Sequence, residues 1–197
     1  VDWVTKTQRI NIPNKISNKL WVLPIGSKKI DDSAANIFLD PGSAFGTGTH
    51  PTTKLCLKWL SDNIKESDSV LDFGCGSGIL SIAAIKLGCL TSTAVDIDPE
   101  ALKVTKQNSL INNLSIETYL PGNLPNKKFD IIISNILEKP LIELLPKFQL
   151  LLKPEGYLVI SGILKSQIKN LKIHYNKYFN FVNYKNEEDW GLISGYK

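Results

Sequence analysis

Asp72-Phe73-Gly74-Cys75-Gly76-Ser77-Gly78 follows the apolar segment Ser69-Val70-Leu71 and precedes Ile79-Leu80-Ser81-Ile82-Ala83-Ala84-Ile85. The order is strand, glycine turn, helix. Three alternate glycines in that setting let a backbone turn tightly and let a ligand come close to it. A dinucleotide fingerprint, G-x-G-x-x-G, would put Ile79 where its third glycine belongs. A phosphate-binding P-loop needs a Gly-Lys-Ser/Thr that this stretch lacks. The pattern left standing is Asp72-x-Gly74-x-Gly76-x-Gly78.

Outward from that loop, helix and strand patterns alternate. Thr52 to Asn63 predicts a helix with Leu55, Trp59 and Leu60 on its apolar face. Ser69 to Phe73 is a strand, Gly78 to Leu87 a helix ended by Gly88, and Thr91 to Ile97 the next strand. Pro99 opens a helix running to about Asn112, and Ser115 to Leu120 is a short strand. Asp130 to Ser134 holds three consecutive isoleucines and predicts a strand buried on both faces. Leu141 to Leu151 is a helix that Pro146 should kink or divide. Pro154-Glu155-Gly156 predicts a turn before the strand Tyr157 to Ser161, and Lys165 to Tyr175 a Lys-rich helix. Phe179 to Lys185 and Asp189 to Gly195 form a closing hairpin. The fold class is therefore α/β: a doubly wound, mostly parallel, seven-stranded sheet with a C-terminal antiparallel hairpin. Residues 1–40 do not alternate this way. With Trp21-Val22-Leu23-Pro24 as a strand, they are expected to be a small β-rich lead-in to a single domain over 41–197.

Ligands of open parallel sheets bind outside the carboxyl ends of the strands, which makes the residues there the candidates. Asp96 ends the strand after the glycine loop, 22 residues beyond Gly74. A carboxylate at that point can accept hydrogen bonds from two ribose hydroxyls. Asp98, its rival, precedes Pro99 and reads as a helix cap. Asn135 follows the isoleucines at the mouth of the same crevice, where a helix-capping role is the competing reading. A second glycine-rich stretch, Asp40 to Thr53, packs Gly, Thr and Pro too densely for anything but a structured loop. Within it Phe45 is placed to cover a ligand, and His50 is a lone loop histidine of ordinary kind. Cys75 is a small filler of the glycine loop rather than a nucleophile.

Composition narrows the classes. At 197 residues, 43% of them hydrophobic, the chain can bury one sizeable core and is not a disordered protein. No apolar run approaches the roughly 20 residues of a membrane helix. The opening Val1 to Lys6 has no basic-then-apolar signal pattern. Cys56, Cys75 and Cys89 match no metal spacing and predict reduced thiols in the cytoplasm. The net charge of +4 is carried by Lys, with Arg9 the only Arg. Arg is the favoured residue for bidentate phosphate and base contacts, so this balance argues against direct nucleic-acid binding.

The glycine loop, with Asp96 beyond it, resembles the cofactor motif of class I S-adenosylmethionine-dependent methyltransferases. Leu39-Asp40-Pro41-Gly42-Ser43-Ala44-Phe45-Gly46-Thr47-Gly48-Thr49-His50-Pro51-Thr52-Thr53 closely resembles the signature of the bacterial ribosomal-protein methyltransferases of the PrmA type. Asn135-Ile136-Leu137, Ser161-Gly162-Ile163-Leu164 and Trp190-Gly191-Leu192 are similar to it as well, so the likeness covers nearly the whole chain. It implies S-adenosyl-L-methionine as cofactor and N-methylation of lysine side chains and an N-terminal amine of a large-subunit ribosomal protein. Thr53, Gly74, Asp96 and Asn135 match that family's cofactor-contacting residues, joined here by Gly76 and Phe45, with Asn135 as the catalytic candidate.

A cytoplasmic monomer is expected, working by positioning and desolvation, since no general base stands out. The family carries an N-terminal substrate-recognition domain. A chain without Met even at position 1 is thus expected to be an excerpt. The chain departs from the pattern at Glu138-Lys139, where the family has small residues. A methyltransferase for RNA or a small molecule, and an inactive cofactor-binding module, are the alternatives.

Overall fold

The structure, a computed structural model, describes residues 12–39 and 48–197. Its centre is a seven-stranded sheet of order β6-β5-β4-β7-β8-β10-β9. The strands are β4 (Ser69–Phe73), β5 (Thr91–Val95), β6 (Glu117–Tyr119), β7 (Phe129–Asn135), β8 (Leu152–Leu164), β9 (Asn180–Glu187) and β10 (Trp190–Tyr196). The pairs from β6 to β8 are parallel, and β10 pairs antiparallel with both β8 and β9. This is the doubly wound sheet with a terminal hairpin that the alternation predicts. Upstream lies a three-stranded sheet of β1 (Asn14–Ser17), β2 (Leu20–Pro24) and β3 (Ala35–Leu39).

Two apolar layers cover the large sheet. On one face α1 (Pro51–Asn63) and α2 (Ile79–Lys86) bury Leu57, Leu60, Ile82 and Ala83. Ile16, Leu20, Val22 and Ile37 of the small sheet join that same core. The helix α3 (Pro99–Ile111) lies beside α2, against β3 and β5. On the other face α4 (Glu138–Leu151) and α5 (Ile168–Tyr175) bury Leu141, Leu145, Phe148 and Leu171 against Phe73, Phe129 and Ile160. Prolines start α1 and α3, as their fixed φ favours.

Two local expectations give way to packing. Pro146 sits inside α4 without ending it. Leu141, Leu145 and Phe148 flank it, all fully buried, and anchor both halves of the helix to the sheet while the proline faces outward. Pro154-Glu155-Gly156 does turn, but inside β8. Phe129 pairs with Leu152 and Ile131 with Tyr157, so the turn is a bulge in a continuous strand, with Glu155 at a φ of 60°.

Chain order fixes where the sheet divides. From β4 the chain winds outward through β5 to β6, then returns to β7 on the other side of β4. The carboxyl ends of β4 and β7 therefore flank the topological switch point. Restoring an amide within α4 should strengthen it: Pro146→Ala is expected to raise the unfolding free energy in urea by about 1–3 kcal/mol.

Candidate active site

Strand β4 ends in the glycine loop. The Gly74 and Cys75 amides both donate to the Val95 carbonyl, at 2.7 and 3.0 Å, which continues the β4–β5 ladder by one step. Gly74 has a φ of 86°, and a Cβ there would lie 2.4 Å from Ile136 Cγ2. Only glycine lets the loop pass under that side chain. The loop then turns into α2, whose Ser81 is capped by Asp72: its Oδ2 accepts from the Ser81 amide at 3.1 Å and from the Ser81 hydroxyl at 2.9 Å.

Asp96 does two things at the end of β5. Its Oδ2 accepts from the Gly76 amide at 2.9 Å and its Oδ1 from the Asp98 amide at 3.0 Å. Each carboxylate oxygen has a second lone pair, so two further donors can be accepted. Asp98 is the cap the sequence suggested, accepting from the Glu100 amide at 2.9 Å.

Across the crevice Asn135 is the last residue of β7 and lies opposite Ser161 of β8. It does not cap α4, whose N-cap is Leu137 with no side-chain bond. Its Nδ2 instead points at Thr53 Oγ1, 3.5 Å away. Thr53 is buried in the first turn of α1. That turn is held from three sides. His50 Nδ1 accepts from the Thr52 amide at 3.3 Å, its ring meets Trp190 edge-on at 5.0 Å, and Lys54 pairs with Glu187 at 3.0 Å. His50 is thus a helix cap, as an ordinary loop histidine would be. The β9–β10 hairpin thus supports the turn that carries Thr53.

Thr53, Gly74, Gly76 and Asn135 line one cavity of about 190 Å³, completed by Cys75, Ser77, Ile79 and Leu80. Four of the predicted site residues are thereby brought together. Asp96 stands behind Gly76 and outside that lining, and Phe45 lies outside the described residues. A larger cavity of about 380 Å³, between Trp59, Asp130, Glu155 and Tyr157, opens at the amino ends of β4 and β7 and contains none of them. Ligands of such sheets bind at the other end, so the smaller cavity is the candidate site. Among the described residues no cluster of His, Cys, Asp or Glu fits a metal ion.

Two features escaped the sequence reading, the ionisation of Asp72 and the support of the loop from α3, while Cys75 behaves as the filler it was read as. Asp72 is fully buried, with Oδ1 unpartnered, and burial lifts its carboxyl to about 7 against the pull of the Ser81 hydrogen bonds. Burial likewise pushes the Cys75 thiol up, so it stays protonated. Thr105 and Asn108 of α3 bond the loop from behind: Thr105 Oγ1 donates to the Gly76 carbonyl at 3.1 Å and Asn108 Nδ2 to the Ser77 carbonyl at 2.8 Å. A signal for the last pair was present: polar residues at 105, 108, 109 and 112 fall on one side of a helix.

The Asp72 carboxyl makes stability pH-dependent. Its ordinary value is 3.8, so between 3.8 and about 7 the native state keeps a proton that the unfolded chain has lost. The stabilisation from this group is full below that window and declines as pH rises through it, by on the order of 4 kcal/mol. Urea titrations at several pH values should find that decline reduced in Asp72→Asn. An identical slope in both proteins would exclude the assignment.

Comparison with known proteins agrees with this geometry. The family described as ribosomal protein L11 methyltransferase (PrmA) matches residues 1–197. A ribosomal protein L11 methyltransferase of Neisseria meningitidis serogroup A is 45% identical over 196 residues, which cover 100% of this chain. One from Thiobacillus denitrificans is 42% identical over 196 residues. The chain spans 66% of the length of either relative. The crystal structure of a ribosomal protein L11 methylase from Lactobacillus delbrueckii subsp. bulgaricus superposes with a TM-score of 0.85 at 28% identity, over 93% of this chain and 97% of that one. With the doubly wound sheet, the glycine loop and the facing Asn135, these likenesses establish that the chain belongs to the PrmA family of ribosomal protein L11 methyltransferases.

Proposed function

We propose that the chain is the S-adenosylmethionine-dependent part of an N-methyltransferase that modifies lysine side chains, and the N-terminal amine, of ribosomal protein L11. The observation that carries this reading is one cavity at the switch point, with bare glycine backbone on one wall and the Asn135–Thr53 pair on the other. A Cβ at Gly76 would meet nothing within 4 Å, so the loop presents open backbone on that side. The donor set suits a nucleoside attached to an amino acid: the Asp96 carboxylate for ribose hydroxyls, the loop backbone beside it, and polar Thr53 and Asn135 at the far end. The family name of the relatives supports the substrate.

When bound, S-adenosylmethionine supplies an electrophilic methyl group. The work of the chain is to present a neutral amine to it. A lysine ammonium, with a pKa of about 10.4, must first lose its proton. Ile79 and Leu80 in the cavity wall keep water away and favour the uncharged amine. The Asn135 carboxamide, oriented by Thr53, accepts a hydrogen bond from the incoming amine or steadies the amino-acid end of the cofactor. Catalysis then rests on orientation and desolvation. In this reading Gly74, Gly76, Asp96, Thr53, Asn135 and Phe45 bind the cofactor, and Asn135 is also catalytic. Residues 41–197 form the methyltransferase domain, with 1–40 as its lead-in. The protein acts as a monomer in the cytoplasm without direct contact to nucleic acid. Buried free Cys56, Cys75 and Cys89 support a reducing compartment. Among the described residues no helix is long and apolar enough to cross a membrane.

Incubation with labelled S-adenosylmethionine and purified L11, followed by mass spectrometry, should find methyl groups on lysines and the N-terminus. L11 left unlabelled, while ribosomal RNA in a parallel reaction takes up label, would reject this substrate. Asn135→Ala is expected to lower kcat about 100-fold or more, with the melting temperature unchanged. Undiminished turnover would remove Asn135 from the mechanism.

A further inference from the structure

A helix that packs on a sheet normally buries an apolar stripe. The stripe that α3 buries is polar instead: Thr105, Asn108 and Ser109, followed by Asn112 at its end, are all at most 3% exposed. Buried polar groups are costly unless paired. Ser109 bonds within its own helix, to the Lys106 carbonyl at 2.8 Å. The other three reach backbone outside it. Thr105 and Asn108 hold the Gly76 and Ser77 carbonyls at 3.1 and 2.8 Å. Asn112 behaves like one residue of a neighbouring strand. It accepts from the Phe38 amide at 2.8 Å and donates to the Phe38 carbonyl at 2.7 Å.

We propose that Thr105 and Asn108 are positioning residues that set the affinity of the glycine loop for its cofactor without touching it, on a helix pinned to β3 by Asn112. Gly76 is clamped from opposite sides, its amide by Asp96 at 2.9 Å and its carbonyl by Thr105. The methyl group of Thr105 fills the space behind the loop, since a Cβ on Gly78 would come within 2.7 Å of Thr105 Cγ2. Thr105 therefore fixes the loop by two hydrogen bonds of its hydroxyl, to the Gly76 carbonyl and with the Cys75 thiol at 3.3 Å, and by one packed methyl. Gly76 and Ser77 line the cavity, whereas Thr105 and Asn108 do not. Any effect of the helix on binding passes through the loop. Preorganised backbone binds more tightly because less ordering remains to be done on binding.

The inference rests on the cofactor reading, and calorimetry with S-adenosylhomocysteine separates the two. Thr105→Val keeps the shape and removes the hydroxyl. It should weaken binding about tenfold, whereas Thr105→Ser, which keeps the hydroxyl, should stay within about threefold of wild type. The KM for S-adenosylmethionine should rise in parallel with little change in kcat. A purely structural role would lower the melting temperature and leave the Kd alone. If Thr105→Val fails to fold, Asn108→Ala carries the same expectation in the same assay. Wild-type affinity in the folded variants overturns the inference and leaves the cofactor reading intact. A wild-type chain that does not bind S-adenosylhomocysteine removes both.

Discussion

The peptide groups at the end of the central strand must be paired although the sheet divides there. Strand β4 is buried on both faces, so an unpaired amide or carbonyl at its end would carry a full desolvation penalty. Each group finds a different solution. The Val95 carbonyl takes the amides of both Gly74 and Cys75. The Ser134 hydroxyl crosses from β7 to the Phe73 carbonyl at 2.7 Å. The Gly76 amide goes to Asp96 and its carbonyl to Thr105. The shape of the ligand cradle follows from these substitutions for missing ladder bonds, with the glycines supplying the conformations they require.

The same accounting explains why some side chains have two duties. Asp96 serves the fold through two backbone amides and still has lone pairs to spare for a ligand. Asp72 serves only the fold, holding the first turn of α2 through Ser81, and full burial makes it keep its proton to far higher pH than a surface carboxyl. Two acids 24 residues apart in one motif region thus end with different duties. Their position relative to solvent decides it: Asp72 lies inside the strand and Asp96 just past one.

The alternation of helices and strands was legible because each element has a strong period or a strong stop. The isoleucine run of β7, Pro99 and Gly88 are examples. The candidate site was legible for the same reason, since Gly74, Asp96 and Asn135 sit at strand ends and strand ends were readable. Reading failed where tertiary contacts outweigh local preference. Pro146 is carried through α4 by the buried residues on either side of it, and Pro154 to Gly156 bend a strand without ending it. It also failed where polar residues do an apolar job. The row on α3 looks like a solvated face until its partners, the carbonyls of a distant loop, are known.

The support that the β9–β10 hairpin gives to the start of α1 has a consequence for how the protein is made. His50 and Lys54, which steady the turn bearing Thr53, rest on Trp190 and Glu187, more than 130 residues later in the chain. Contacts of such long range close late, since the loop between them must be ordered first. During synthesis the glycine loop and both its neighbouring strands emerge well before the hairpin. The strands and glycine loop of the cradle can thus pair early. The last support of the turn bearing Thr53 arrives only with the hairpin, once residue 190 is free to pair.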